Sequence, residues 1–159
     1  MRRFFYDTEF MESPGMLELL SIGVVSESGR ECYLENYEAD LSRANPWVRE
    51  HVLPHLNHPD VLRGTRKMIA ESLLWFLQPS KADPVELWSY YGAYDHVALC
   101  WLWGPMVDLP PGMPMLTLDV KQLALSLGDP KLPKQTGAEH NALADARWTR
   151  EAWLFLESL

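Results

Sequence analysis

Residues 3–26, RFFYDTEFMESPGMLELLSIGVVS, decide the architecture. Arg3 to Phe10 is aromatic-rich and predicts a strand. Met16 to Ser26 is a near-continuous apolar run, which predicts a strand buried on both faces. Ser28-Gly29 is a turn signal, and Glu31 to Tyr37 reads as the return strand of a hairpin. Three consecutive strands therefore open the chain.

Downstream the pattern changes to helices alternating with short strands. Pro46 to Leu53 predicts a short helix closed by Pro54. Asp60 to Gln78 predicts a longer one, with Leu62, Ile69, Leu73, Leu74, Phe76 and Leu77 along a stripe and Pro79 as the stop. Val85 to Tyr91 predicts a fourth strand ending at Gly92, and Asp95 to Trp103 a helix ended by Gly104-Pro105. Leu109 to Pro114 is a proline-rich loop. Met115 to Leu118 predicts a fifth strand running into a helix up to Gly128. Asp129 to Gly137 is a polar loop, and Ala142 to Leu159 an amphipathic terminal helix. Three antiparallel strands followed by parallel strands joined by helices give an α/β mixed sheet with helices on its faces. That is the element order of a ribonuclease H-like fold, here read as one domain over residues 1–159.

Composition agrees with this class. The chain has 159 residues and is 47% hydrophobic, enough to bury a core without disulfides or a structural metal. No run approaches the roughly 20 apolar residues of a membrane span. Arg2 and Arg3 could mimic a signal peptide, but Asp7 and Glu9 interrupt the apolar run, and that reading is rejected. Cys32 and Cys100 have no CxxC neighbour and read as reduced, buried thiols of a cytoplasmic protein. A net charge of −8 argues against a protein that coats nucleic acid non-specifically, while leaving open an enzyme that acts on one end of it.

The carboxylates carry the chemistry. Asp7 and Glu9 are two apart on the first strand, so both point to one face, with Thr8 on the other. Flanked by Phe4, Phe5, Tyr6 and Phe10, the pair needs compensation by a proton, a basic side chain or a cation, unless it marks an exposed strand end. Asp95 follows the fourth strand, where side chains line the crevice of an α/β sheet; a helix N-cap is the plainer alternative. His140 and Asp145 are five apart and do not share a helix face. If both serve one site, His140 lies in the loop or first turn, which leaves it mobile, and Asp145 on the helix; the alternative is a capping region and a surface aspartate.

Taken together, D-x-E on strand one, Asp after strand four and H-x4-D at the last helix form a pattern. The chain resembles the DEDDh 3′-to-5′ exonucleases through Asp7, Glu9, Asp95, His140 and Asp145. Within that group it is similar to the polyadenylate-specific exoribonuclease AS (RNase AS) subfamily, through Phe5-Tyr6-Asp7-Thr8-Glu9-Phe10, Gly92-Ala93-Tyr94-Asp95-His96-Val97-Ala98-Leu99-Cys100 and Leu102-Trp103-Gly104-Pro105-Met106.

The resemblance implies two Mg²⁺ ions per site, with Mn²⁺ as a substitute, about 3.5–4 Å apart. Two bound divalent cations would leave a net charge of −4. Asp7 would bridge the metals, Glu9 and Asp145 would complete the site of the attacking water, and Asp95 would hold the second metal. His140 would take the water's proton. The implied substrate is a single-stranded RNA 3′ end, with a preference for 3′ adenylates and poly(A), cut to nucleoside 5′-monophosphates. A terminal base needs a stacking surface, so Phe10 and Met11 are candidates to pack against it, with core packing as their alternative; Glu12 could accept from an adenine amino group. A homodimer is implied as well, with Trp153, Leu154, Phe155 and Leu156 as a possible face. A DNA-directed or general oligonucleotide exonuclease and a catalytically silent RNA-binding module remain the alternatives. His51, His55 and His58 are set aside as a zinc site, because Pro54 interrupts them and no cysteine is near. Trp101 and Trp103 read as core or interface, and Arg63, Arg66 and Lys67 as a solvated helix face.

Overall fold

In a computed structural model, which describes residues 2–57 and 61–159, one six-stranded sheet runs through the chain. Its strands are β1 (Arg2–Ser13), β2 (Met16–Ser26), β3 (Glu31–Asn36), β4 (Leu62–Gly64), β5 (Val85–Ser89) and β6 (Leu118–Asp119), in the order β4-β3-β2-β1-β5-β6. The first three are antiparallel neighbours; β5 joins β1 in parallel, β6 joins β5, and β4 joins β3. The helices are α1 (Pro46–His51), α2 (Arg66–Leu77), α3 (Ala93–Cys100), α4 (Val120–Ser126) and α5 (Ala142–Glu157). Among the described residues no helix is long and apolar enough to cross a membrane. Cys32 and Cys100 are both unbridged.

Alternation along β1 divides the core. Phe4 and Tyr6 face α2 and α3, in a cluster with Ile22, Leu73 and Leu99. Phe5 faces the other side, against Val120, Ala152 and Trp153 of α4 and α5. Met11 lies farther along that second side with Leu20, Val48 and Val52, under α1. A bulge serves both faces. Glu9 pairs with Ser21 but Phe10 pairs with Leu19, so Leu20 has no partner and turns into the Met11 cluster. Asp7 and Glu9 thus occupy the gap between two apolar clusters on one face of the sheet.

Two elements differ from the sequence reading by more than an end shift of up to three residues. The expected helix from Asp60 begins instead at Arg66, and Leu62–Gly64 is a parallel edge strand on β3. Leu62 had matched the helical stripe through its spacing to Ile69. The missed signal was Thr65, whose side chain accepts from the Met68 amide and caps the helix. The fifth expected strand, Met115 to Leu118, is instead the two residues Leu118–Asp119, and Asp119 ends it by accepting from the amides of Lys121 and Gln122 to cap α4. His58 and Asp60 lie outside the described residues.

Candidate active site

β1 presents Asp7, half-buried, and Glu9, 8% exposed, on the face that α5 covers. Asp7 stands opposite Gly23 of β2, and that glycine lets α5 approach. A Cβ there would lie 2.3 Å from the Ala142 carbonyl oxygen and 2.4 Å from Leu143 Cα. The first turn of α5 therefore rests on the β2 backbone. Asn141 caps it by accepting from the Ala144 amide at 3.0 Å. Asp145, three residues into the helix, is delivered to the β1 carboxylates. One oxygen each of Asp7, Glu9 and Asp145 can be chosen so that all lie within 4.8 Å of one another.

Asp95 arrives from the opposite face and does not join that trio. Its place is set by the turn after β5. Gly92 donates to Asp119 at 3.0 Å and caps α3, so Asp95 lies in the first turn of the helix and is not the N-cap. β1 runs past the end of its pairing with β5, which stops at Phe5 and Trp88. Asp95 covers the strand edge left open: its Oδ1 accepts from the Thr8 amide at 2.9 Å and the Thr8 hydroxyl at 2.5 Å.

The electrostatics follow from four carboxyls in a partly buried space. Burial, then Asp95, Glu9 and Asp145, push the Asp7 carboxyl well above its ordinary range. Burial, then Asp145 and Asp95, push Glu9 up to about 8. Burial raises Asp95 to about 6 against the opposing Thr8 hydrogen bonds. Asp145 is raised by burial, countered by a hydrogen bond from the Gln135 amide and by His140. Among the described residues no ion pair engages any of the four. Crowded oxygen ligands with raised pKa values and no ion pair among the described residues suit a hard divalent cation.

His140 sits in the turn before α5 with φ 62°, a left-handed conformation costing about 1–2 kcal/mol for an ordinary residue. Its ring meets Trp47 edge-on at 4.8 Å between centroids and His51 at 5.9 Å. The turn that sequence alone left mobile is therefore packed against α1. Sequence reasoning missed Thr8, Gly23, Trp47 and Gln135 as supports of the site.

Residues 2–156 match the family described as the 3′-5′ exoribonuclease Rv2179c-like domain. The chain belongs to this family. It is 50% identical over 146 residues to the 3′-5′ exoribonuclease Rv2179c of Mycobacterium tuberculosis, covering 91% of this chain and 87% of that protein. In fold it resembles the zinc-bound complex of Escherichia coli exonuclease I with single-stranded DNA (TM-score 0.73, 11% identity), spanning 99% of this chain and 40% of that one. It also resembles a 3′-exonuclease that recognises the histone mRNA stem-loop (TM-score 0.61, 12% identity), over 99% of this chain and 64% of that one.

In this Rv2179c-like domain the three residues after the D-x-E strand core diverge. Phe10 is half-buried and stacks on Tyr94 of α3, with centroids 5.8 Å apart and planes 10° from parallel. Met11 is 1% exposed inside the α1 cluster and has no face left for a nucleotide, so its expected substrate contact is corrected to core packing. The alternation that aims Glu9 at the site aims Met11 under α1. Glu12 is exposed and lines a cleft of about 830 Å³ together with Asn45, Tyr94 and Trp101. Trp103 packs on the core, while Trp101 stands 43% exposed beside this cleft. The His51 ring stacks on that of Trp47. Arg63 leans on the buried Glu35 at 3.5 Å from β4, not from a helix face.

Proposed function

We propose that this chain is a divalent-metal-dependent 3′-5′ exoribonuclease of the DEDDh type, close to RNase AS, which releases nucleoside 5′-monophosphates from RNA and prefers 3′ adenylates. The observation that carries the proposal is the grouping of Asp7, Glu9 and Asp145 within 4.8 Å, without an ion pair among the described residues, in a chain of an exoribonuclease family.

In this reading Asp7, Glu9 and Asp145 hold Mg²⁺ or Mn²⁺, and Asp95 contributes from its Thr8-bonded position. Bound there, two such ions supply Lewis-acid stabilisation of the phosphate and lower the pKa of water. His140 accepts the proton of the attacking water. The phosphodiester bond to the penultimate 3′ oxygen breaks, and the 5′-monophosphate leaves. Gln135 keeps the Asp145 carboxylate oriented until the site is loaded. The Phe10–Tyr94 stack offers an aromatic surface for the terminal base, and Glu12 an acceptor for an adenine amino group. The same reading takes residues 1–159 as one exonuclease domain, cytoplasmic and homodimeric; sedimentation as a monomer at working concentration would remove the dimer.

The direct test is digestion of 5′-labelled oligo(A), oligo(U) and oligo-dA in Mg²⁺ and in EDTA. A ladder from the 3′ end of oligo(A), abolished by EDTA and weaker for the other strands, is expected. Equal digestion of both RNAs would remove the adenylate preference. Faster digestion of oligo-dA would favour a DNA-directed enzyme. No digestion by folded protein in either metal would leave an RNA-binding module.

A further inference from the structure

α1 is a six-residue helix that is anchored far more firmly than its length requires. Asn45 caps it by accepting from the Val48 amide at 2.9 Å. Val48 and Val52 are buried with Met11 and Leu20. The Arg49 guanidinium donates to the carbonyls of Leu41, Ser42 and Ala44. Its other face carries Trp47 and His51, four apart and therefore stacked one above the other. Their rings are 4.9 Å apart and 15° from parallel. His51 Nδ1 lies 3.0 Å from the Trp47 carbonyl oxygen, which can only accept, so that nitrogen carries the proton and the ring is locked to the helix. Trp47 is half exposed, although its neighbours on the inner face are buried.

His140 needs such a surface. It lies in a turn, its backbone is left-handed, and the residues before it in the polar loop form no regular element. Asn141 fixes the helix start just after it but holds nothing of the imidazole. The ring is met edge-on by both members of the α1 stack, at 80° to Trp47 and 85° to His51. Edge-to-face geometry is the preferred arrangement of such rings and fixes orientation as well as distance.

We propose that Trp47 and His51 are positioning residues for the reaction: the stacked pair on α1 is a rigid wall that holds the His140 imidazole in the orientation in which it takes the proton of the attacking water. This rests on the reading of His140 as the proton acceptor. It assigns α1, which contributes no carboxylate, a direct share in the rate. A side chain that merely fills space would be replaceable by any apolar group of similar size. A wall needs a flat ring, so Phe should serve at position 47 and Leu should not.

The test has two independent readouts. In the unaltered protein, proton NMR should give nuclear Overhauser contacts between the Trp47 indole and the His140 ring, and Trp47→Leu should remove them and broaden the His140 signals. On oligo(A), Trp47→Leu should lower kcat by roughly tenfold to a hundredfold with KM within twofold, as a loss of orientation predicts. Trp47→Phe should recover most of that rate. In a His140→Ala background, Trp47→Leu should cost nothing more, because the group it orients is gone. Absence of the Overhauser contacts, a loss confined to KM, or an undiminished loss in the His140→Ala background would each overturn the proposal. If the unaltered protein cleaves no strand, the exoribonuclease reading itself fails, a result seen before any variant is compared, and the positioning role falls with it.

Discussion

Replacing Gly23 by alanine tests the whole construction with one methyl group. The added Cβ would stand 2.3 Å from the Ala142 carbonyl oxygen and 2.4 Å from Leu143 Cα, whereas ordinary contact begins near 3.4 Å. Both opposing groups are backbone, so no rotamer change relieves the overlap. The start of α5 must retreat by about 1 Å, and Asp145, in the same turn, moves with it. Gly23 has no left-handed φ, so alanine itself is comfortable in the strand and even gains about 0.5–1 kcal/mol relative to glycine. Overpacking at about 1–3 kcal/mol outweighs that gain. A misplacement of about 1 Å in a catalytic group costs on the order of a hundredfold in rate. The expected result is a Tm lowered by several degrees, kcat on oligo(A) down by about two orders of magnitude, and weaker stabilisation by Mg²⁺ in thermal melts. Gly29→Ala is the control: it strains a turn at φ 89° with open space around it, and should lower Tm without touching kcat. A Gly23→Ala protein with unaltered rate and melting temperature would refute the placement of Asp145 by helix–strand contact.

Three other outcomes are expected. Glu9 ionises near 4.5 in the unfolded chain and near 8 when folded, so the metal-free native state keeps a proton that the unfolded chain has lost. Stability should therefore fall as pH rises from about 5 to about 8 in EDTA, by up to about 4 kcal/mol at about 1.36 kcal/mol per pH unit, and Mg²⁺ should reverse the loss; a flat or rising urea midpoint over that range contradicts it. Asp7→Asn and Asp145→Asn should each abolish turnover, yet leave the metal-free fold at least as stable at pH 8, because each removes a carboxyl from the crowd; near-normal rates in either would sink the metal-site assignment. Phe10→Ala should raise KM for oligo(A) severalfold by removing half of the Phe10–Tyr94 stack, and an unchanged KM eliminates base stacking there.

Much of this was local and therefore legible in the chain. Alternation along residues 3–10 put Asp7 and Glu9 on one face, and it holds in β1. The apolar run of residues 16–26 announced a doubly buried strand, and β2 spans those residues. The order of strands and helices specified the mixed sheet. Where local cues competed, spacing misled: Leu62 sat at a helical interval from Ile69, yet it pairs with Leu34 of β3. Met11 looked as available to a nucleotide as Phe10, but α1 covers it in one cluster with Leu20, Val48 and Val52.

Other features belong to contacts between distant segments, and no local pattern encodes them. Thr8 meets Asp95 across 87 positions, at a strand edge that exists only because β5 stops short. Gly23 carries no mark in sequence that separates it from a turn glycine; its necessity comes from α5 lying on it. Gln135 and Trp47 come from segments 88 residues apart and flank the site from opposite elements. The chain by itself determined which residue types could do the chemistry and which faces they occupy, since strand and helix periods are properties of the backbone. The tertiary structure decided which carboxyls share one space, how far burial raises their pKa values and what holds His140, because proximity and dielectric environment arise only when the layers pack.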